Sequence, residues 1–335
     1  MSTGQNKTDE KPVVSITKVR DDNVSAAVEE AIELLGGIKS VTEGKERIML
    51  KPNLVAESPA FTTKPEVIRT LARLMQGAGK QVIIGEGSAA AGGFNADKDG
   101  VYRTRNQEIL DKMQQHVFDQ LGYTELARSL GVPLINLHSG ELVDVPVANG
   151  YVFDKITLHR SLTEIDLLCS VPMMKTHVLA TVSLGMKNLI GLYPGTVYYS
   201  VRAWLHDHAA QAGSPGIAYE ILDMVQANKL GLVVVDGSMA MEGDGPTDGD
   251  LVKMGIIVAG TNPLATDMVA AHLMGFEVAE VPTFTCAHGA GMTPKEIGEI
   301  DVRGEQMDRV RREFKKPNVV SWTSINQFWG VKEIP

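Results

Sequence analysis

The chain has 335 residues, of which 44% are hydrophobic and 22% charged, with a net charge of −9. That balance fits a globular protein of enzyme size and argues against nucleic-acid binding, because a polyphosphate meets a repulsive field that no Lys/Arg cluster offsets. Two cysteines, Cys169 and Cys286, exclude a four-cysteine iron–sulfur or zinc site and a disulfide framework.

Residues 1–12, "MSTGQNKTDEKP", are polar and read as a disordered tail without the apolar centre of a signal peptide. No stretch has the length and apolarity of a membrane span, so the expected compartment is the cytoplasm. From residue 13 the chain reads as a single α/β domain. "VVSITKV" alternates as a strand does, and Val24, Ala27, Val28, Ala31 and Ile32 recur at helical spacing. "RIMLKPNL" returns to strand. Thr63-Lys64-Pro65-Glu66 has the form of a capping box opening a second helix, and "QVIIGEG" is a third strand. Short β-α-β-α-β connections predict an open, mostly parallel sheet with helices on both faces.

Residues 88–122 interrupt that rhythm and read as a lid-like insertion. "ELVDVPVANGYVFDKITLHR" predicts a hairpin turning at Asn149-Gly150, and "EIDLLCSVP" a buried strand. A helix is expected over 182–192, followed by an aromatic-rich loop over 193–215. "LGLVVVDG" and "MGIIVAG" predict two further strands, and "PLATDMVAAHLMG" a helix.

Ligands of open parallel sheets bind beyond the carboxyl ends of the strands. There the predicted strands deliver Lys51 and Asn53, Glu86 and Ser88, Lys175 and His177, then Asp236 with Glu242 six residues on. Lysine is a strongly hydrated point charge, so its placement between "IML" and "PNL" or after "VPMM" asks for a reason. Lys175 and His177, two apart, share one side of an extended segment, and an imidazole with a reference pKa of about 6.5 suits acid–base work. Lys187 and Asn188 follow inside "SLGMKNLIGL", where a helix N-terminus would add anion-binding amides.

Three lysines around one rim suit a carboxylate or phosphate, so the expected partner is a small anionic metabolite. No Walker loop and no G-x-G-x-x-G follows the first strand. The loop from Asp236 to Asp250 carries Glu242, Asp244 and Asp248 among four glycines, an oxygen-rich set for Mg²⁺ or another divalent cation. His206, Asp207 and His208 form a second metal candidate, which lacks an evident third ligand of its own kind.

In order, "MLKPNLV", "PMMKTH", "GMKNLIGL", "VVDGSMAMEGDGP" and "AGTNPLATDMVAAHLMG" resemble the family catalogued as domain of unknown function 362, over about residues 45–276. The resemblance marks Lys51, Asn53, Lys175, His177, Lys187, Asn188, Asp236, Glu242 and Asp267 as motif positions. It adds Asp267 to Asp236 and Glu242 as a metal candidate. Many members carry an appended ferredoxin-like cluster segment, which two cysteines cannot reproduce. Any redox role therefore implies an external ferredoxin or flavin partner.

The resulting expectation is an enzyme in which lysines polarise a small anion. Lys175, His177, Glu242 and Asp236 would carry proton transfer of isomerase or lyase type. Lys51, Asn53, Glu86, Lys187 and Asn188 would bind substrate. A redox-linked protein and a non-catalytic ligand- or metal-binding module are the alternatives, and a homodimer is the generic expectation for such enzymes.

Overall fold

The computed structural model describes residues 10–321. The expected disordered tail falls mostly on residues 1–9, outside the described residues. Alternation sets the two faces of the sheet. In β1 (Val13–Lys18) and β2 (Arg47–Pro52), successive side chains enter opposite cores: Ile48 and Leu50 pack with one helical layer, Met49 with the other. The first layer contains α1 (Val24–Leu34), opened by an Asn23 side chain that accepts from the Ala26 amide, and α2 (Pro65–Gly77). It also contains α3 (Gln107–Gln120) and α4 (Tyr123–Leu130).

β3 (Gln81–Glu86) and β4 (Leu134–Asn136) extend the sheet beside β2. β5 (Leu142–Pro146) and β6 (Lys155–His159) form a separate hairpin, with Asn149 at φ +58° in its connection. The chain then returns to the other side of β2 as β7 (Leu167–Val171), continues after Pro172 as β8 (Met173–His177), and turns back as β9 (Thr181–Ser183). A short α5 (Gly185–Asn188) follows. α6 (Ala203–Ala212) and α7 (Ala218–Ala227) lead to β10 (Leu230–Glu242), β11 (Asp250–Val252) and β12 (Ile256–Gly260). α8 (Pro263–Leu273), α9 (Pro282–Gly289) and β13 (Asp301–Gly304) complete the fold, and α7, α8 and α9 cover the second face.

The main sheet runs β13-β1-β12-β10-β7-β2-β3-β4. Along this path only β12 runs opposite to the rest. The fold is therefore an open, mostly parallel sheet covered on both faces. β2 and β3 are neighbours, as short β-α-β units require, whereas β1 is separated from β2 by three strands. From β2 the chain winds outward to β3 and β4, then restarts on the other side with β7. That reversal is where an open α/β sheet forms a ligand crevice.

Three local expectations are corrected. The capping box at Thr63 does not form: the Thr63 hydroxyl accepts from the Asn53 amide and donates to the Val171 carbonyl, and Lys64 is the N-cap without a side-chain bond. Residues 182–192 are not one helix: they comprise the end of β9, the single turn α5 and a 3₁₀ turn at Leu189–Leu192. The strand "LVVV" does not stop at Val235. It continues through Glu242 because β8 and β11 pair with its second half, so Asp236 lies within a strand. Residues from Pro294 onward, which carry no readable pattern, include edge strand β13 paired with β1.

Candidate functional site

A cavity of about 550 Å³ opens at the β2/β7 reversal. The main sheet's carboxyl edge supplies its first two polar groups. Lys51 near the end of β2 and Glu86 at the end of β3 are almost fully buried, and the Lys51 ammonium lies 2.8 Å and 3.0 Å from the two Glu86 oxygens. Lys51 also donates to the Pro52 carbonyl at 2.9 Å and to Asn188 Oδ1 at 3.1 Å. Glu86 accepts in addition from the Leu54 and Gly87 amides. Burial pulls the Lys51 pKa down, opposed by Glu86. Both charges are fully engaged within the protein, so the pair is a framework element.

Asn188 fastens that pair to α5. Its Oδ1 accepts from Lys51 and, at 3.3 Å, from Asn53 Nδ2, while its own Nδ2 donates to Ser170 Oγ at 3.0 Å. Three residues on, Gly191 explains the spacing K-N-x-x-G: a Cβ there would sit 2.5 Å from Glu86 Oε1 and 2.7 Å from Lys51 Nζ. The Gly191 carbonyl is used too, as an acceptor for Arg202.

Lys175 and His177 project from β8 on one side, as their spacing requires, and both line the cavity. Lys175 donates to the Phe61 carbonyl at 2.8 Å and the Pro246 carbonyl at 3.4 Å. With no carboxylate partner among the described residues, its pKa is lowered to about 7, first by burial and then by Lys187. His177 Nδ1 accepts from the Leu179 and Ala180 amides at 3.0 Å and 3.4 Å. Those bonds assign the ring proton to Nε2, which makes a neutral imidazole that donates. Burial, Lys187, His206 and Lys175 all hold its pKa well below the ordinary histidine value.

Lys187, on α5, lines the same cavity, and its ammonium has no hydrogen bond or ion pair with any described residue. Burial, then Arg202 and Lys51, lower its pKa to about 7. The amides that open α5 are not open to a ligand, because Asp267 on α8 accepts from Gly185 N and Met186 N at 2.8 Å each. Burial raises the Asp267 pKa to about 7 against those two bonds. This corrects the expectation that the helix terminus would bind the anion.

Asp236 and Glu242 do not reach the cavity. Asp236 accepts from the Lys64 amide just ahead of α2 and from the Ser238 amide and hydroxyl. It stands in for the cap that Thr63 does not supply. Glu242 accepts from the Lys315 amide at 3.1 Å. Asp236, Glu242 and Asp267 are thus held apart on backbone amides, and among the described residues no three His, Cys, Asp or Glu side chains are grouped as a metal would need. The His206, Asp207, His208 set also diverges around α6: His206 lines the cavity, Asp207 pairs with Arg103 and His208 approaches Glu220. Ser88 lies beside the cavity, its amide donating to Gln114 and its carbonyl accepting from Arg202. The glycine-rich loop contributes differently from the metal reading. Gly245 packs so closely that a Cβ would lie 2.2 Å from the Thr176 carbonyl, and this seats Pro246, Thr247 and Asp248 on the cavity.

Arg202 and Ser183 are among the cavity residues that sequence reasoning missed. Arg202 is 2% exposed and donates to the carbonyls of Gly87, Ser88 and Gly191. It sits in a segment where Tyr199, Val201 and Arg202 all have positive φ, +61°, +49° and +55°. Such strain persists only where the surroundings impose it. Ser183 stands on β9, opposite Lys175. Arg202 had one legible signal, a lone guanidinium inside the aromatic-rich loop. Ser183 had none. Leu54, Val55, Phe61, Val178, Leu179 and Ile190 form apolar wall, and Glu57, Asp97 and Asp248 are the cavity's outer acids.

The fold and the site define an open α/β protein with a cation-lined cavity at its strand-order reversal. Residues 48–272 match the model of the family described as Domain of unknown function (DUF362), and the chain belongs to that family. A curated relative, thylakoid-associated protein sll1697 of Synechocystis sp., is 26% identical over 272 residues, covering 80% of this chain and 75% of the relative. Among solved structures, the lactate racemase apoprotein from Thermoanaerobacterium thermosaccharolyticum overlaps 82% of this chain and 60% of its own, with TM-score 0.46 and 13% identity. A protein from Thermotoga maritima overlaps 76% and 58%, with TM-score 0.40 and 16% identity. The matched part is thus under two thirds of either solved chain. No helix among the described residues is long and apolar enough to cross a membrane.

Proposed function

We propose that the protein is an enzyme acting on a small carboxylate- or phosphate-bearing metabolite, by proton transfer of the isomerase or lyase type. The observation that carries this is the inner charge of the cavity. Among the described residues, Lys175, Lys187 and Arg202 enter it without a carboxylate partner, while Glu86 is consumed by Lys51. Lys175 and Arg202 are buried and Lys187 is partly buried, and cations so placed without a counter-charge are costly, a cost that an anionic ligand relieves. Lys187 and the Nε2–H of His177 would meet the substrate. Lys175 and Arg202 would supply a positive field at developing negative charge. The outer acids and the apolar wall favour one anionic end and an apolar body. Asp236 and Glu242 have no part in this reading, and the working compartment is the cytoplasm.

The test is a thermal-shift screen of carboxylates and phosphates on wild type and Lys187→Met. Stabilisation of wild type by a subset of anions, lost in the variant, is the expected result. No response to any anion would end the reading. An external ferredoxin or flavin partner rests on family resemblance alone, and reductase-dependent turnover is its test.

A further inference from the structure

The three lysines of the cavity are chemically distinct. Lys51 is locked to Glu86, and Lys175 donates to two carbonyls. Lys187 alone offers its nitrogen to the cavity with no described partner. It stands on a helix turn pinned by Asp267, in a cavity whose lining includes apolar Ile190. A partly buried lysine held beside other cations, here Lys51, Lys175 and Arg202, is the arrangement that turns an amine into a nucleophile towards carbonyl carbon.

We propose that Lys187 forms a Schiff base with a carbonyl-bearing carboxylate, a 2-oxo acid with an apolar body. The claim rests on the small-anion reading above and specifies its substrate class. The neutral Lys187 amine adds to the ketone carbon and gives a carbinolamine. Its hydroxyl leaves as water with a proton from the Lys175 ammonium, which leaves an iminium on Lys187 and a neutral amine on Lys175. Amine, ketone and one proton thus become iminium and water, with no oxidant or reductant. The iminium then acidifies the adjacent C–H, which supplies the electron sink that proton transfer needs. The substrate carboxylate would lie towards the His177 Nε2–H.

The groups facing Lys187 agree with this. Lys51 from β2, Lys175 and His177 from β8, and Arg202 and His206 from the segment ahead of and within α6 are all cationic or neutral, and Glu86 is already paired. The lowered Lys187 pKa of about 7 leaves much of the amine free near neutrality.

The experiment treats the full chain at pH 7 with phenylpyruvate and cyanoborohydride, followed by peptide mass mapping. 3-Phenylpropanoate, which has the carboxylate and ring but no ketone, serves as competitor and as a calorimetric probe of anion binding. The expected result is a reduced adduct on Lys187, formed at least about a hundredfold faster than on surface lysines, because far more of its amine is unprotonated. The competitor should block it. Lys187→Arg, which keeps the cation but cannot form an imine, should bind 3-phenylpropanoate and give no adduct. Binding of 3-phenylpropanoate without an adduct on wild-type Lys187, or an adduct spread evenly over surface lysines, overturns the Schiff base and spares the anion reading. If neither compound binds, both fall.

Discussion

The Lys51 ammonium and the Glu86 carboxylate lie 2.8 Å apart at the carboxyl ends of adjacent strands, with side chains 1% and 2% exposed. The two residues expected from sequence to bind substrate are engaged with each other on the wall of the cavity. Removing one member leaves the other charged and buried. Lys51→Met should therefore cost about 3–5 kcal/mol in denaturant unfolding, and the double variant with Glu86→Leu should cost less than the single. A double variant whose loss equals the sum of the two single losses would show that the pair is not coupled.

Gly191 gives a steric version of the same test. A methyl at this position meets Glu86 Oε1 at 2.5 Å, so Gly191→Ala must displace the carboxylate or the backbone. A loss of about 1–3 kcal/mol is expected from overpacking, read as a lowered Tm, together with weakened anion binding. A crystal structure of the variant with Lys51 and Glu86 unmoved would contradict the explanation.

Lys187 ties stability to pH. Its folded pKa of about 7 lies below its ordinary value of 10.5. Between those values the unfolded chain holds a proton that the folded chain lacks, so stability rises with pH across that window. Below pH 7 both states are protonated and the cost of partly burying the charge is complete. Lys187→Met should accordingly be more stable than wild type at pH 6, by an advantage that shrinks as pH rises through 7 towards 10. Chemical denaturation at three pH values is the measurement, and a pH-independent difference would refute it.

Binding of a non-reactive anion should follow the same protons. A carboxylate favours the charged lysines, so 3-phenylpropanoate should bind most tightly below about pH 7, with Lys175 and Lys187 both at about 7 in the free protein. Above that, affinity should fall by up to about tenfold per pH unit for each proton that must be taken up. Calorimetry in buffers of different ionisation enthalpy would register the uptake. Binding without uptake at pH 8 would place the anion away from these lysines.

Asp236 separates architecture from chemistry. It is 1% exposed and bonded to Lys64 N and Ser238. Asp236→Asn should lower stability by about 1–2 kcal/mol through the loss at the start of α2. Affinity for 3-phenylpropanoate should be unchanged. A selective loss of binding in a fully stable variant would return Asp236 to the site.

Much of this was legible from alternation and from where polar residues interrupt it. Lys51, Glu86, Lys175, His177 and Lys187 could be placed on one rim because each follows an apolar strand or joins the next helix, and all five line one cavity. Asp236 misled because its strand continues on long-range pairing with β8 and β11, which local pattern does not encode. Arg202 was hidden because its position depends on three residues with positive φ, none of them glycine. Asp267 was visible only as a motif position and a metal candidate. Instead its carboxylate crosses to Gly185 and Met186, a partnership 81 and 82 residues away in the chain.

That long crossing bears on the order in which the molecule assembles. A four-residue helix such as Gly185–Asn188 cannot nucleate alone, and its opening amides find their acceptor only once Pro263–Leu273 has docked. Lys187, whose nitrogen has no partner among the described residues, therefore stands on a turn that is completed only by that docking. A nascent chain released before residue 263 would carry every cavity lysine and still lack the site.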